Sequence, residues 1–150
     1  MRHTSFEDHT CPIARSLERV GEWWSILILR DALHGLTRFD EFQKSLGIAP
    51  NMLTRRLNAL VESGLLERRR YSEHPERFEY GLTDAGRDLF PVVVSLLQWG
   101  DRWTAGEAGP PLLLVHEPCG HPGEAILACA RCGEEITLGN VRPEPGPGAH

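Results

Sequence analysis

Residues 38–62 read RFDEFQKSLGIAPNMLTRRLNALVE and contain two amphipathic segments separated by a short break. In the first segment, 38–46, apolar residues recur at helical spacing and form one face: Phe39, Phe42 and Leu46. The stretch GIAP then interrupts the pattern. The second segment, 50–62, carries an inward-facing apolar set: Leu53, Leu57, Leu60 and Val61. The spacing therefore predicts a helix, a tight turn and a second helix.

The pattern changes after the second segment. Ser63 and Gly64 end the helical periodicity, and two short extended runs follow at 65–72 and 77–83. In the later run Phe78, Tyr80 and Leu82 alternate with other residues, as a half-buried strand requires. A polar loop containing a proline separates the runs, so we expect a β-hairpin.

Helix, turn, helix and hairpin together predict a winged helix-turn-helix, in which the second helix is short enough to enter a DNA major groove about 12 Å wide. The outward side chains of that helix can hydrogen-bond base edges: Asn51, Thr54, Arg55 and Asn58. Arg56 is expected to reach toward phosphate. The hairpin would lie along the DNA backbone or minor groove. Its predicted DNA contacts are Arg68, Arg69, Arg70, His74 and Arg77.

The charge of the chain is segregated. Its net charge is −5, which by itself argues weakly against nucleic-acid binding. Residues 50–70, however, carry five arginines against two glutamates. Because local charge matters more than the total, this basic segment favours DNA as the partner. The alternative is an ordinary solvated face on a winged helix that binds protein.

The flanking elements complete an α+β, mainly α, fold. Residues 11–20 predict a short helix with Pro12 at its first position and Gly21 at its end. Residues 22–33 predict a buried helix. Residues 83–103 predict a long C-terminal helix for dimerisation, capped by Thr83 and bent at Pro91. A small β-rich tail follows.

The expected organisation is a DNA-binding and dimerisation domain at 11–108, a small extension at 112–142 and a disordered tail at 143–150. The extension carries three short extended candidates at 112–116, 124–129 and 135–138. The last residues are rich in proline and glycine, which is typical of disorder.

The chain resembles the HxlR-type winged-helix regulators, within the wider MarR-like group. The matching segments are CPIARSLERVGEWWSILILRDAL, RFDEFQKSLGIAPNMLTRRLNALVESGLLERR, PERFEYGLTDAGRDL and LLQWGDRW, in order within 11–103. The resemblance implies a homodimeric bacterial regulator that binds a palindromic operator, with recognition helices roughly 34 Å apart. We expect a repressor that is released by a small molecule or by thiol modification.

The resemblance also implies that the first and last helices of the domain form the dimer. The residues predicted for this interface are Ile13, Leu17, Leu96, Trp99 and Trp103. Two positions depart from the family. Ala49 replaces a frequent serine, so a side-chain helix cap is absent there. Trp23 precedes Trp24 where a basic or small residue is usual. We expect Trp23 in the core, and the alternatives for this pair are a ligand pocket or a dimer contact.

Cys11 precedes Pro12 at a helix start. Backbone N–H groups and the helix dipole favour a thiolate at such a position. The resemblance implies that some family members sense oxidants or electrophiles through a cysteine at this place. The alternative is an inert thiol buried at a dimer interface.

The extension contains the elements of a zinc ribbon. Cys129 and Cys132 form one pair, and Cys119 with His116 or His121 would form the other. Four N/S ligands in two turn-held pairs are what tetrahedral zinc requires. The alternatives are a metal-free hairpin with packed thiols and a redox role. The core family lacks this tail, so the resemblance implies that DNA binding requires no cofactor.

Other classes of protein fit less well. The sequence has no apolar run of membrane-spanning length and no apolar signal-peptide core in MRHTSFEDHT, so we expect a cytoplasmic protein without membrane contact. It lacks the H-E-x-x-H, Walker A and G-x-G-x-x-G motifs. A zinc-dependent enzyme is therefore the weakest alternative, after the protein–protein interaction module without sequence-specific DNA binding.

Overall fold

The computed structural model describes residues 5–8 and 10–148. The chain divides into two units, Met1–Val93 and Val94–His150. The elements in chain order are α1 (Pro12–Val20), α2 (Trp23–Leu33), α3 (Phe39–Leu46), α4 (Pro50–Glu62), β1 (Leu66–Glu73), β2 (Glu76–Leu82), α5 (Asp84–Arg87), α6 (Phe90–Thr104), β3 (Val115–His116) and β4 (His121–Pro122). The predicted winged helix-turn-helix is confirmed.

The core of the first unit comes from the apolar faces of α2, α3 and α4, closed by the hairpin. Its fully buried large side chains are Phe42, Ile28, Leu29, Leu53, Leu57, Leu60 and Leu66. Phe39, Leu46 and Val61 pack against this cluster while partly exposed. The helical periodicity of 38–62 therefore identified the inward face, since residues three and four apart lie on the same side of a helix.

The turn between α3 and α4 is held by a left-handed residue and a buried anchor. Gly47 ends α3 with φ 61° and donates its N–H to the carbonyl of Gln43. Glycine suits this position because it lacks the Cβ that makes the conformation costly. Ile48 is only 4% exposed, and Pro50 then opens α4 with φ already set for a helix. The start of α4 is thus fixed by packing.

The start of α3 is held by Glu41. Its carboxylate accepts hydrogen bonds of 2.9 Å from the backbone N–H groups of both Thr37 and Arg38. These bonds, led by the one from Thr37, hold the pKa of the Glu41 carboxyl below its ordinary value. The ionised side chain thereby occupies N–H groups that would otherwise lack a partner at the helix end.

Glu41→Gln is expected to destabilise the chain at neutral pH and to matter little in acid. Because the folded pKa is depressed, the stabilisation is fully present above about pH 4.3, the ordinary value for glutamate, and is lost as pH falls through the folded pKa. Urea unfolding from pH 7 to pH 3 measures the gap between wild type and variant. Asp40→Asn removes a charge from the same turn and is the control. A gap that stays constant with pH would contradict this account.

The hairpin pairs antiparallel, with Leu66 opposite Leu82, Arg68 opposite Tyr80 and Arg70 opposite Phe78, and a bulge lies between Arg70 and Ser72. The stretch before α3 joins the sheet. The N–H of Tyr80 donates to the carbonyl of Thr37 at 2.7 Å. The backbone of Arg38 forms an antiparallel β-bridge with the backbone of Glu79. The wing is therefore anchored to the start of the helix-turn-helix.

Two sequence predictions about the C-terminal half are wrong. The single helix expected at 83–103 is divided: α5 ends at Arg87, and α6 begins at Phe90. Thr83 does cap α5, accepting from the N–H of Gly86 at 3.1 Å. Pro91 lies in the first turn of α6, where its missing N–H costs nothing, so it starts a new helix rather than bending an old one.

The extension contains less strand than expected. Only Val115–His116 of the first candidate pairs, and it pairs with His121–Pro122. The second and third candidates meet through one bridge, between Ala128 and Glu135. Residues 143–148 are exposed and outside helix and strand, and the rest of the predicted disordered tail lies outside the described residues.

The tandem tryptophans separate. Trp24 packs against the core, whereas Trp23 is 77% exposed, so the expectation that Trp23 is a core residue is wrong. The two side chains point about 100° apart around α2, and only one can face inward. Along the part of the chain that the structure describes, no helix is long and apolar enough to cross a membrane.

Candidate nucleic-acid interface

The outward face of α4 is polar and exposed. Its side chains are Asn51, Thr54, Arg55 and Asn58, and the opposite face is buried through Leu53, Leu57 and Leu60. The spacing puts the four polar groups on one side of a helix whose other side cannot rotate out of the core. The sequence-predicted base-reading set is therefore brought together on one helix face.

The N-terminus of α4 has no side-chain cap from Ala49, as the sequence predicts. The side-chain oxygen Oδ1 of Asn51 instead accepts from the N–H of Met52 at 2.9 Å. The Thr54 hydroxyl donates to the carbonyl of Pro50 at 2.9 Å. In the absence of a cap from residue 49, the side chain of Asn51 thus occupies one of the N–H groups at the start of α4.

Arg56, predicted to contact phosphate, forms an ion pair within the protein. Its guanidinium lies 3.3 Å from the carboxylate of Glu22, just before α2, and its side chain is 18% exposed. Its Nε is buried, with no hydrogen-bond partner among the described residues. In the folded chain the side chain joins α4 to the start of α2, so reaching a phosphate would require leaving this pair, and the expected phosphate contact stays a prediction.

Two of the three consecutive arginines in β1 form ion pairs within the wing. Arg69 pairs with Glu67. Arg70 lies 3.1 Å from Glu76 and 3.9 Å from Glu73. Residues 66–82 carry as many glutamates as arginines, so the wing is less basic than the run RRR suggests. Exposed pairs of this kind stabilise by only about 0–1 kcal/mol, which leaves both arginines able to exchange their partner for a phosphate.

The remaining arginines predicted to contact DNA are not engaged in ion pairs within the described residues. Within the described residues, Arg55, Arg68 and Arg77 make no ion pair. Arg68 stacks over the ring of Phe78 at 4.4 Å, which holds its guanidinium in place by a cation–π contact. His74 is exposed at the turn of the hairpin. Among the described residues, the charges of Arg55, Arg68 and Arg77 are therefore not offset by an ion-paired carboxylate.

One further basic residue lies beside the wing, although no pattern in the sequence predicts it there. Arg38 stacks over the ring of Tyr71 at 4.8 Å. It lines a surface depression with Tyr71, Arg77 and Phe78. Arg38 precedes α3, and only the pairing of this stretch with β2 brings it to the hairpin. Position in the sequence could not have identified it.

The first predicted dimer element is α1. It begins at Pro12 with Cys11 as its N-cap residue, and it contains no buried residue. Ile13 is 71% exposed and Leu17 is 53% exposed. Four residues apart, these side chains form an apolar stripe on one face of the helix. Cys11 itself is half-buried at the helix start.

The second predicted dimer element is α6. Leu96, Trp99 and Trp103 are each more than half exposed. They are three and four residues apart and so share one face. Exposed aromatic stripes of this size mark interaction surfaces, because water would otherwise contact them at a free-energy cost.

The predicted metal ligands lie in two short turns. In the first turn, Nδ1 of His116 lies 3.5 Å from Sγ of Cys119. In the second turn, backbone N–H groups of Cys132 and then Arg131 donate to the sulfur of Cys129 and hold the pKa of its thiol below the ordinary value. Across the described residues, no group of three or more His, Cys, Asp or Glu side chains is close enough to hold one ion. The pair His116–Cys119 and the pair Cys129–Cys132 are each formed, but the two pairs are not brought together into one four-ligand site.

A polar contact links the extension to α6 within the second unit. The side-chain amide of Gln98 donates to the carbonyl of Ala125 at 2.9 Å and accepts from the N–H of Ala125 at 2.7 Å. Arg102 pairs with Glu124 at 2.7 Å. Gln98 and Arg102 are four residues apart and form one face of α6.

Comparisons with known proteins agree with this geometry. The HxlR-like helix-turn-helix family profile matches residues 19–108. The uncharacterized HTH-type transcriptional regulator Rv3095 of Mycobacterium tuberculosis is 52% identical over 136 residues, which cover 91% of this chain and 86% of that protein. The redox regulator HypR, in its oxidized form, is 32% identical with a TM-score of 0.59, over 64% of this chain and 100% of HypR.

A second solved structure is similar to this chain over the C-terminal extension as well. PA1607, a candidate transcription factor, is 40% identical with a TM-score of 0.86, over 95% of this chain and 100% of that one. The prediction of a regulator rather than a zinc-dependent enzyme is confirmed, because the family and its named relatives are transcriptional regulators. The chain belongs to the HxlR family of helix-turn-helix transcriptional regulators.

Proposed function

We propose that this regulator binds a palindromic operator as a homodimer, with one α4 in the major groove of each half-site, and represses by occupying the DNA. The exposed polar face of α4, backed by fully buried leucines, carries the proposal. The bacterial cytoplasm is the compartment in which such a chain would meet its operator. DNA binding itself follows from membership of the family.

The residues divide by the part of DNA they would contact. Asn51, Arg55 and Asn58 present amide and guanidinium groups, which pair with adenine and guanine edges in the major groove. Thr54 offers a hydroxyl on the same face. The wing would contact phosphates and position the helix without reading sequence. Its contacts are Arg68, Arg77, Arg69, Arg70 and His74, together with Arg38.

Selection from random-sequence duplexes tests this function. We expect an enriched inverted repeat with half-sites one DNA turn apart, because a two-fold dimer presents two recognition helices. Binding to the enriched site should weaken steeply with salt, since each phosphate contact releases a counterion. Binding without sequence preference, or none at all, would instead favour the winged helix as a protein–protein interaction module.

For regulation, we propose that oxidation or alkylation of Cys11 lowers operator affinity. Cys11 is the residue just before α1, the helix whose exposed Ile13 and Leu17 we assign to the dimer. A modified thiol there would move the two recognition helices relative to each other. The similarity to HypR, named a redox regulator, supports this route. The second route of regulation is a small molecule that binds near the exposed side chain of Trp23. The alternative for Trp23 is a contact within the dimer.

Oxidant treatment is expected to weaken operator binding by wild-type protein about 5- to 150-fold, the usual range of coupling between two sites. Cys11→Ser should bind DNA like the wild type and lose this response. Ser16→Ala, which changes an exposed side chain of the same helix and keeps Cys11, is the control and should retain it. Fluorescence anisotropy with labelled operator measures all three proteins. A full response in Cys11→Ser would exclude Cys11 as the sensor.

DNA binding in this family requires no cofactor in general. We propose in addition a structural Zn²⁺ in the extension, held by Cys119, Cys129, Cys132 and one histidine. The preformed Cys129–Cys132 turn, with N–H groups aimed at a sulfur, supports it.

A further inference from the structure

The second unit of the chain has almost no hydrophobic core of its own. Among its described residues, 94–148, only Val94 is buried. Eight large apolar side chains between 112 and 141 are exposed, in addition to the stripe of Leu96, Trp99 and Trp103 on α6. A unit of this size that buries so little apolar surface gains little free energy to offset the entropy lost on folding. We therefore expect part of its exposed apolar surface to be covered in the working protein.

The segment 124–127 is held against α6 beside the exposed stripe. The side-chain amide of Gln98 accepts from the N–H of Ala125 at 2.7 Å and donates to its carbonyl at 2.9 Å. One helical turn further on, Arg102 pairs with Glu124 at 2.7 Å. Gln98 and Arg102 each come directly before a tryptophan of the stripe, so each lies about 100° around the helix from that tryptophan. The segment therefore lies along one side of the stripe.

This segment brings further apolar surface to α6. Ile126 and Leu127 directly follow the residue bound by Gln98, and they are 65% and 64% exposed. The carbonyl of Leu127 accepts from the N–H of Ile136 at 2.7 Å, and Ala128 forms a bridge with Glu135, so the segment continues into a paired hairpin. Because consecutive Cα atoms are only about 3.8 Å apart, the two apolar side chains lie close to the helix. The combined patch consists of Leu96, Trp99, Trp103, Ile126 and Leu127.

The stripe on α6 alone is small for a stable dimer. Trp99 is 59% exposed and Trp103 is 70% exposed. A fully covered aromatic side chain buries about 150–250 Å², so these two tryptophans offer roughly 200–320 Å². Each partner in a stable interface contributes about 800 Å². Covering Ile126 and Leu127 as well would bring the buried area nearer to that value.

The charges beside the combined patch favour a second copy of this chain as its partner. All five side chains of the patch are apolar, and the charged groups at its edge, Arg102 and Glu124, pair with each other. The patch therefore offers DNA phosphates no unpaired cation. In a two-fold dimer the same patch meets itself, so an unbalanced charge there would face its own copy and repel it. An apolar patch with a balanced edge avoids this repulsion.

We propose that the extension forms a second part of the dimer interface, in which Ile126 and Leu127 pack with the α6 stripe against the combined patch of a second copy. This rests on the homodimer of the proposed function and adds the extension to its interface. Gln98 and Arg102 hold the added side chains in place within each chain. Dimerisation thereby depends on residues beyond 108, where the match to the family profile ends.

Leu127→Asp in the full-length chain tests this surface. We expect the dimer dissociation constant to rise at least about 10-fold, because the leucine is no longer removed from water and a charge must be desolvated instead. Sedimentation equilibrium over a range of concentrations measures it. Ala130→Asp is the matched control. It places the same charge on an exposed residue of the same hairpin, beyond the Ala128–Glu135 bridge, and should dimerise like the wild type. An unchanged constant in Leu127→Asp, or an equal rise in both variants, would refute the proposal.

A photoreactive benzoylphenylalanine in place of Leu127 tests the contact without introducing a charge that could disturb folding. Two differently tagged copies of the chain are mixed and illuminated. We expect cross-links between the two tags from position 127 and none from the same group at position 130. A sample that is dimeric by sedimentation but gives no cross-link from position 127 would overturn the proposal.

Failure of this proposal can be distinguished from failure of the homodimer. If Trp99→Asp gives monomers while Leu127→Asp stays dimeric, the dimer through α6 stands and the part assigned to the extension is wrong. If the wild type is monomeric at every concentration, the homodimer of the proposed function is itself wrong. Neither measurement uses DNA, so both outcomes are independent of operator recognition.

Discussion

Arg55→Ala is expected to weaken operator binding by about 1–3 kcal/mol, roughly 5- to 150-fold, and to relax sequence preference at one position of each half-site. Arg55 is exposed on the outward face of α4 and forms no ion pair within the described residues. Its guanidinium can therefore make a bidentate contact to a guanine without first losing a carboxylate. Anisotropy titrations against the selected operator and single-base variants measure both effects.

The control for Arg55→Ala is Arg69→Ala, which removes the same charge from the wing. Arg69 is paired with Glu67, so DNA must displace an existing partner to bind it. We expect a smaller loss, equal across sequences, with a decrease of at most about one in the salt slope. Equal losses in the two variants, with unchanged sequence preference, would contradict base reading by α4.

Trp99→Asp is expected to convert the dimer to monomers at concentrations where the wild type is dimeric. A buried interface tryptophan contributes about 2–4 kcal/mol by truncation, roughly 30- to 1,000-fold in dimer dissociation, and a charge in its place adds a desolvation cost. Trp99 lies at the centre of the stripe formed with Leu96 and Trp103. Sedimentation velocity measures the mass. Operator binding should fall with it, because one recognition helix alone contacts a single half-site.

Thr104→Asp is the control for this prediction. It places the same charge on the exposed last residue of the same helix, five residues and about 140° around from Trp99. We expect it to remain dimeric and to bind the operator nearly as the wild type does. If Trp99→Asp stayed dimeric, the exposed face of α6 would have to serve another partner, and dimerisation would depend on α1.

Local pattern accounts for most of the first unit. The helices α1 to α4 and the hairpin follow from apolar spacing, from proline at helix starts and from glycine at helix ends, all of which act within a few residues. The extension departs from expectation for a physical reason. Its short apolar runs resemble strands. The backbone N–H and carbonyl of Ala125, however, hydrogen-bond to the side chain of Gln98, and other backbone groups hydrogen-bond within the turns at 116–120 and 129–133. A run of apolar residues cannot reveal which partner its backbone will find.

Sequence alone therefore established the helix-turn-helix, the polar face of its second helix, the apolar stripes and the pairing of cysteine and histidine residues in the extension. Which arginines can offer their charge to DNA, and which are held in ion pairs, depended on the folded chain. Arg56 pairs with Glu22, distant in sequence, and Arg38 reaches the wing because Thr37 pairs with Tyr80. Periodicity depends on neighbours along a helix or strand, so it identifies faces. Ion pairs depend on distances in space, and only packing brings these groups together.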